Sequence, residues 1–276
     1  RVSRGLGDVY KRQQLLGCIS KQLDGQYIAH YKQLTLRSVF QPIYQKDLSI
    51  IGLEALVRIS NQDGQMIRPD QFFQSNTIPV KDQINVERLS RLIHISNFGQ
   101  SKFSNKKLFL NVLPKAAEML AKDMSYSNLL KQAIIEADLR REQIVMELVE
   151  LDASDENCLY KATKELSDNG YMLAIDDYGV DASTVERVKS VRPNIIKIDR
   201  SLLLRYESGD FTCLMEALSL AKDIRSKTVI EGIETEHQLN LMKKLGFDMY
   251  QGYLLAMPQT LEAVSYTHLT LPTTPV

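Results

Sequence analysis

Glu54, Asn111, Glu147, Asp176, Asp177, Lys197, Glu231 and Gln251 share one placement: each falls within, or just past, a short apolar or β-branched stretch. Carboxylates gathered at one centre repel one another and raise each other's pKa unless a cation neutralises them. A divalent ion bound by carboxylate and amide oxygens meets that need, and an oxygen-rich set without histidine favours Mg²⁺ or Mn²⁺ over Zn²⁺. No His stands at any of these strand ends, so a zinc hydrolase is disfavoured.

Taken singly, each residue has a plainer reading. A carboxylate at a strand end is commonly a helix cap. Asp176 and Asp177, before Tyr178 and Gly179, have the composition of a turn. Lys197 is harder to set aside, because it lies between Ile196 and Ile198, where a strand buried on both faces offers an ammonium no water. It therefore needs a partner. Gln41 in FQPIY and Arg58 in EALVR pose milder versions of the same question.

The elements that must position these residues follow a rhythm. Strand-like stretches lie at 38–44, 50–57, 107–112, 143–148, 171–175, 194–198, 227–230 and 247–251. Helical patterns at 84–98, 115–121, 126–137, 153–168, 181–190, 210–224 and 235–244 separate most of them. Strand then helix, repeated, is an α/β architecture, and eight strands predict a (β/α)₈ TIM-like barrel of about 250 residues. Only a short loop joins the first two stretches, so the first strand is expected to run antiparallel. The C-terminal ends of barrel strands converge on one face, which brings residues as far apart as Glu54 and Gln251 to one centre.

Length and charge agree. The chain has 276 residues, 44% apolar and 25% charged, which excludes wholesale disorder and fibrous repeats. Lys plus Arg and Asp plus Glu both number 34, so the net charge is zero and no global field favours a DNA or RNA polymer. No GxGxxG follows a strand and no GxxxxGK[ST] occurs, which removes dinucleotide and P-loop modes. Cys18, Cys158 and Cys213 are widely spaced, as buried thiols in a reducing compartment would be. No apolar run approaches the roughly 20 residues of a membrane-spanning helix, and a cytoplasmic location is expected. Residues 1–13 and the Thr- and Pro-rich 265–276 read as non-native sequence, residues 14–37 as a helical lead-in or linker, and 38–264 as the barrel domain.

Taken together, QPI at 41–43, EALVR at 54–58, Asn111 in FLNVLP, ELVE at 147–150, DDYG at 176–179, KID at 197–199, EGIE at 231–234 and QGYLLAMP at 251–258 resemble the EAL-domain family. The resemblance implies a (β/α)₈ barrel that hydrolyses cyclic di-GMP to linear 5′-pGpG with two ions, Mg²⁺ or Mn²⁺, and with Ca²⁺ inhibitory. By the same resemblance Glu54, Asn111, Glu147 and Asp176 bind one metal, and Asp176, Asp177 and Glu231 the second. Lys197 matches the lysine on the attacking water, Gln251 a water-positioning residue, and Glu150 the glutamate that anchors the loop after the fifth strand. Arg58 matches an arginine near a substrate phosphate, with Leu56 lining the cleft beside it and Gln41 and Asp199 in the same substrate-facing motifs. Tyr253 and Pro258, with Tyr178 and Met257, are candidates for the purine rings. The family also implies a homodimer and an upstream sensory or GGDEF-type domain, through which the full-length protein could be membrane-tethered.

One segment departs from the family. Where F-G-T-G-x-S-S is common, this chain reads YGVDAST at 178–184, with Val180 for Thr and Asp181 for Gly. A metal-dependent phosphodiesterase is the first expectation, and a cyclic di-GMP receptor without useful turnover is the alternative.

Overall fold

The computed structural model describes residues 12–113, 124–148, 156–180 and 185–266. Strands β1 (Ile19–Lys21), β2 (Tyr27–Tyr31) and β3 (Leu34–Gln45) precede β4 (Ile50–Ser60) and the short β5 (Met66–Ile67). After the helix Val80–Gly99 the chain alternates: β6 (Lys107–Val112), β7 (Ile144–Leu148), β8 (Met172–Tyr178), β9 (Ile195–Ile198), β10 (Lys227–Ile230) and β11 (Met249–Tyr250). The intervening helices include Met124–Glu136, Glu156–Asp168, Val185–Val191, Arg200–Glu207, Thr212–Ile224 and Glu236–Leu245.

Strands β3, β4 and β6 to β11 close into a barrel of eight. The neighbours from β4 through β11 are parallel, and β3 is antiparallel to both β4 and β11, as the short first loop predicts. Ile43, Phe109, Val145, Ala174, Ile195, Val229 and Met249 fill the barrel with one apolar layer. At this level β4 supplies Gly52, where a Cβ would come within 2.6 Å of Phe109 Cε2. Outside the barrel, two larger apolar clusters seal the helices against the strands. The helix Glu236–Leu245 shows the local logic: Thr235 and Gln238 form a capping box at its start, and Gly246 at φ 88° ends it.

The lead-in differs from expectation. Within 14–37 only the residues up to Gly17 are helical, and the rest forms the β1–β2 hairpin and the start of β3. Ala29 and Leu36 pack there with Val57 and Ile59 against Val86, Leu89 and Ile93 of the helix Val80–Gly99. That burial on one face favours pleated strands over a helix. The first two barrel strands are likewise longer than 38–44 and 50–57, because this added sheet extends their pairing to Thr35 and Ser60. Among the described residues no helix is long and apolar enough to cross a membrane.

Candidate metal and phosphodiester site

Two residues from each member of the apolar layer, toward the barrel mouth, the inward position is polar in every strand. Ile43 gives way to Gln41, Gly52 to Glu54, Phe109 to Asn111, Val145 to Glu147, Ala174 to Asp176, Ile195 to Lys197, Val229 to Glu231 and Met249 to Gln251. The period-2 pleat makes this ring, since side chains two apart face the same way. Glu231 and Gln251 lie just past β10 and β11, yet backbone bonds to Ile198 O and Ile230 O, each 3.0 Å, hold them in the ladder.

Lys197 stands at the centre. Its Nζ lies 2.8 Å from Asp176 Oδ1, 2.9 Å from Glu147 Oε1, 2.9 Å from Glu231 Oε1 and 3.4 Å from Glu54 Oε2. Burial alone would lower the ammonium's pKa, but the carboxylates of Asp176, Glu147, Glu231 and Glu54 outweigh it and hold Lys197 well above the ordinary lysine value. Glu147 is wholly buried, and burial pushes its carboxyl well up, against the pull of Lys197 and with the push of Glu54 and Asp176. Glu231 is raised in the same way, first by burial. Gln251 Nε2 donates to Glu54 Oε2 at 2.6 Å and Asn111 Nδ2 to Glu54 Oε1 at 3.4 Å, so both oxygens of Glu54 are oriented.

Asp176 and Asp177 break the alternation. The β8–β9 register shifts between Ile175 and Tyr178, and Asp177 takes φ 52°. A bulge of this kind re-aims a side chain, so two successive aspartates face one centre instead of opposite sides of the sheet. Gly179, at φ 110°, closes the turn where a Cβ would meet Leu202 at 2.7 Å. Burial, then the neighbouring Asp176, push Asp177 up to about 6.

Carboxylate oxygens of Glu54, Glu147 and Asp176 come within 4.8 Å of one another, and so do those of Asp176, Asp177 and Glu231. Glu147 Oε2 has no hydrogen-bond partner among the described residues, while Glu147 Oε1 and Asp176 Oδ1 face the Lys197 ammonium. These buried oxygens facing a shared space fit divalent cations, with Asp176 common to both groups.

The remaining expected residues sit around this ring. Gln41 is buried and donates to Ala256 O at 3.1 Å, tying β3 to the segment that follows Gln251. Leu56 and Arg58 are half-buried on the face of β4 that carries Glu54, and Arg58 donates to Val57 O at 3.2 Å. Asp199 caps the helix Arg200–Glu207 by accepting from Ser201 N at 2.8 Å. Tyr253 and Met257 are exposed and Pro258 is half-buried. Glu150 and Asp181 lie outside the described residues.

The sequence profile of the EAL domain family matches residues 28–258. The chain belongs to the EAL domain family. Cyclic di-GMP phosphodiesterase PdeF of Escherichia coli strain K12 is 26% identical over 212 residues, covering 75% of this chain and 28% of that protein. Bifunctional diguanylate cyclase/cyclic di-GMP phosphodiesterase MucR of Pseudomonas aeruginosa is 26% identical over 239 residues, 84% of this chain and 34% of that protein. The chain thus spans about a third of the length of these curated relatives. Among solved structures, the manganese and cyclic di-GMP complex of Klebsiella pneumoniae BlrP1 superposes with a TM-score of 0.71 at 23% identity, covering 81% of this chain and 56% of that one. That likeness establishes the EAL barrel fold.

Sequence reasoning missed Glu87. Its Oε1 accepts from Leu113 N at 3.0 Å, two residues past Asn111, and it pairs with the buried Arg91, which donates to Tyr126 OH at 3.1 Å. The sequence carries no signal for it, because charged and apolar residues are mixed along the helix Val80–Gly99 and only its packing shows Glu87 and Arg91 to be buried.

Proposed function

We propose that this EAL domain hydrolyses cyclic di-GMP to linear 5′-pGpG with divalent metal. The observation that carries the reading is the pair of carboxylate groups sharing Asp176 inside the polar ring of an EAL barrel. The activities of PdeF and MucR support the same substrate. Glu54, Asn111, Glu147 and Asp176 would hold one ion, and Asp176, Asp177 and Glu231 a second, with Mg²⁺ or Mn²⁺ suited to this all-oxygen donor set. When bound, such ions supply charge neutralisation to the phosphodiester and acidify water.

The chain's own side chains do the positioning. Gln251 and Asn111 fix both oxygens of Glu54. An ammonium held well above its ordinary pKa keeps its protons, so Lys197 orients the attacking water by donating to it. Water's oxygen bonds to phosphorus, the P–O3′ bond breaks, and the 3′ oxygen leaves with a proton. Arg58 stands at the rim, near a substrate phosphate. In this reading the domain works in the cytoplasm as a homodimer, joined to an upstream sensory or cyclase-type domain.

Turnover decides the reading: with Mg²⁺ or Mn²⁺ the purified protein yields pGpG, and Glu54→Ala yields none. One observation favours a receptor instead, the Val180–Asp181 replacement, which follows the paired aspartates after Tyr178 and Gly179, where Val180 N donates to Asp177 O at 3.2 Å. Tight binding of cyclic di-GMP without pGpG under either metal would establish the receptor and defeat hydrolysis.

A further inference from the structure

Arg37 stands directly across from Arg58 in the antiparallel β3–β4 pair. The register runs unbroken from Gln41↔Glu54 through Val39↔Leu56 to Arg37↔Arg58, so both arginines lie on the strand face of the carboxylate ring, two pleats toward the rim. Side chains directly opposite in such a pair have Cβ atoms about 4.5–5.5 Å apart, and like charges there are destabilising. Neither guanidinium forms an ion pair among the described residues. Nor does that face of β3 and β4 carry a carboxylate above Glu54: its residues are Val39, Arg37, Thr35, Leu56, Arg58 and Ser60. A chain of zero net charge that sets two cations side by side at the mouth of its site has built a local anion ledge.

We propose that Arg37, with Arg58, receives the phosphodiester of the cyclic dinucleotide that is not being cleaved. This rests on the substrate class proposed above. Such a ligand holds two phosphates in one macrocycle, and only one of them can occupy the carboxylate ring. The other remains charged at the rim, and a planar guanidinium pair recognises its two free oxygens. Arg37 is exposed, so its contact is screened by solvent and its contribution is modest.

The experiment is calorimetric titration of cyclic di-GMP with Ca²⁺ present, on the wild type, Arg37→Ala, Arg37→Lys and, as a charge control, Lys46→Ala in the exposed loop at the other end of the same strand pair. Arg37→Ala should raise Kd about 3- to 10-fold, an effect that shrinks with added salt. Arg37→Lys should recover part of the affinity, and Lys46→Ala should match the wild type. The Tm of Arg37→Ala should equal or exceed that of the wild type, because one of two opposed like charges is gone. An unchanged Kd in Arg37→Ala, an equal loss in Lys46→Ala, or a lowered Tm in Arg37→Ala would overturn the assignment. Failure of the hydrolytic reading shows separately, as a wild type that makes no pGpG, while this binding series still reports on Arg37.

Discussion

Replacing Lys197 with Met tests the electrostatic logic of the ring. Methionine keeps the length and apolar bulk of the lysine stem and removes the ammonium that faces four carboxylates at 2.8 to 3.4 Å. Removing one partner of a buried charge cluster costs about 3–5 kcal/mol. For a domain of this size, at about 2–4 °C per kcal/mol, Tm should fall on the order of 10 °C in metal-free buffer. The pH dependence has a definite sign. Lys197 has a raised folded pKa, so its stabilisation is complete below the unfolded value of about 10.4 and is constant from pH 5 to 8. Glu147 and Glu231 are also raised, so stability falls as pH climbs from about 4.3 through their folded pKa values. Without Lys197 those values rise further and the losing window widens. The variant's deficit should therefore be larger at pH 8 than at pH 5, measured by urea unfolding in a chelator. Manganese should restore more stability to the variant than to the wild type, because the added cation replaces the missing charge. A variant as stable as the wild type at pH 8, or a deficit that does not grow with pH, would refute the reasoning.

Three further outcomes rest on other buried contacts and on the turn at Gly179. Burial, then Arg91, hold the His94 imidazole down at about 3, against about 6.5 unfolded, so its contribution is complete above pH 6.5 and is lost as pH falls toward 3, at about 1.4 kcal/mol per unit. His94→Asn should flatten that part of the stability profile in urea titrations from pH 7 to 4; an unaltered slope would exclude His94 as its source. Gly179→Ala should lose about 1–3 kcal/mol through backbone strain and contact with Leu202, and calorimetry should show weaker Mn²⁺ binding as Asp176 and Asp177 shift. Glu87→Ala leaves Arg91 buried without its counter-charge and should cost about 3–5 kcal/mol, whereas Glu87→Gln retains the acceptor for Leu113 N and should cost less in denaturant melts.

Most of the barrel and its ring is legible in the sequence because both obey the pleat. Strand stretches show as β-branched runs, and Lys197, enclosed by isoleucines, announces that a buried cation needs carboxylate partners, which the structure supplies. What escaped obeys other rules. The hairpin before the barrel was masked by a helix-like spacing of apolar residues, although Asp24–Gly25 is a hairpin signal: Gly25 takes φ 85° and Asp24 Oδ1 accepts from Gln26 N at 2.9 Å. Glu87 and His94 escaped because polar and apolar residues are mixed around the helix Val80–Gly99, which gives no sign of which polar residues are buried. His94 Nδ1 lies 2.7 Å from Ser38 Oγ, which accepts from Asn97 Nδ2 at 3.1 Å. Only the packed helix shows that network.

The paired aspartates mark where pattern and chemistry part. A strict pleat would give each strand one inward polar residue, enough for a single ring of ligands around Lys197. The bulge at Ile175–Tyr178 adds one more carboxylate on the same side, and that residue completes the second group with Asp176 and Glu231. Its conformation is costly on its own, since Asp177 lies in the left-handed region and pushes against Asp176. Gly179 and the packing of Leu202 hold the turn in place against that cost. Where a fold accepts backbone strain and charge repulsion at the same residue, bound cations would offset the repulsion, so in the proposed reading the local irregularity of β8 would set how many ions the barrel holds.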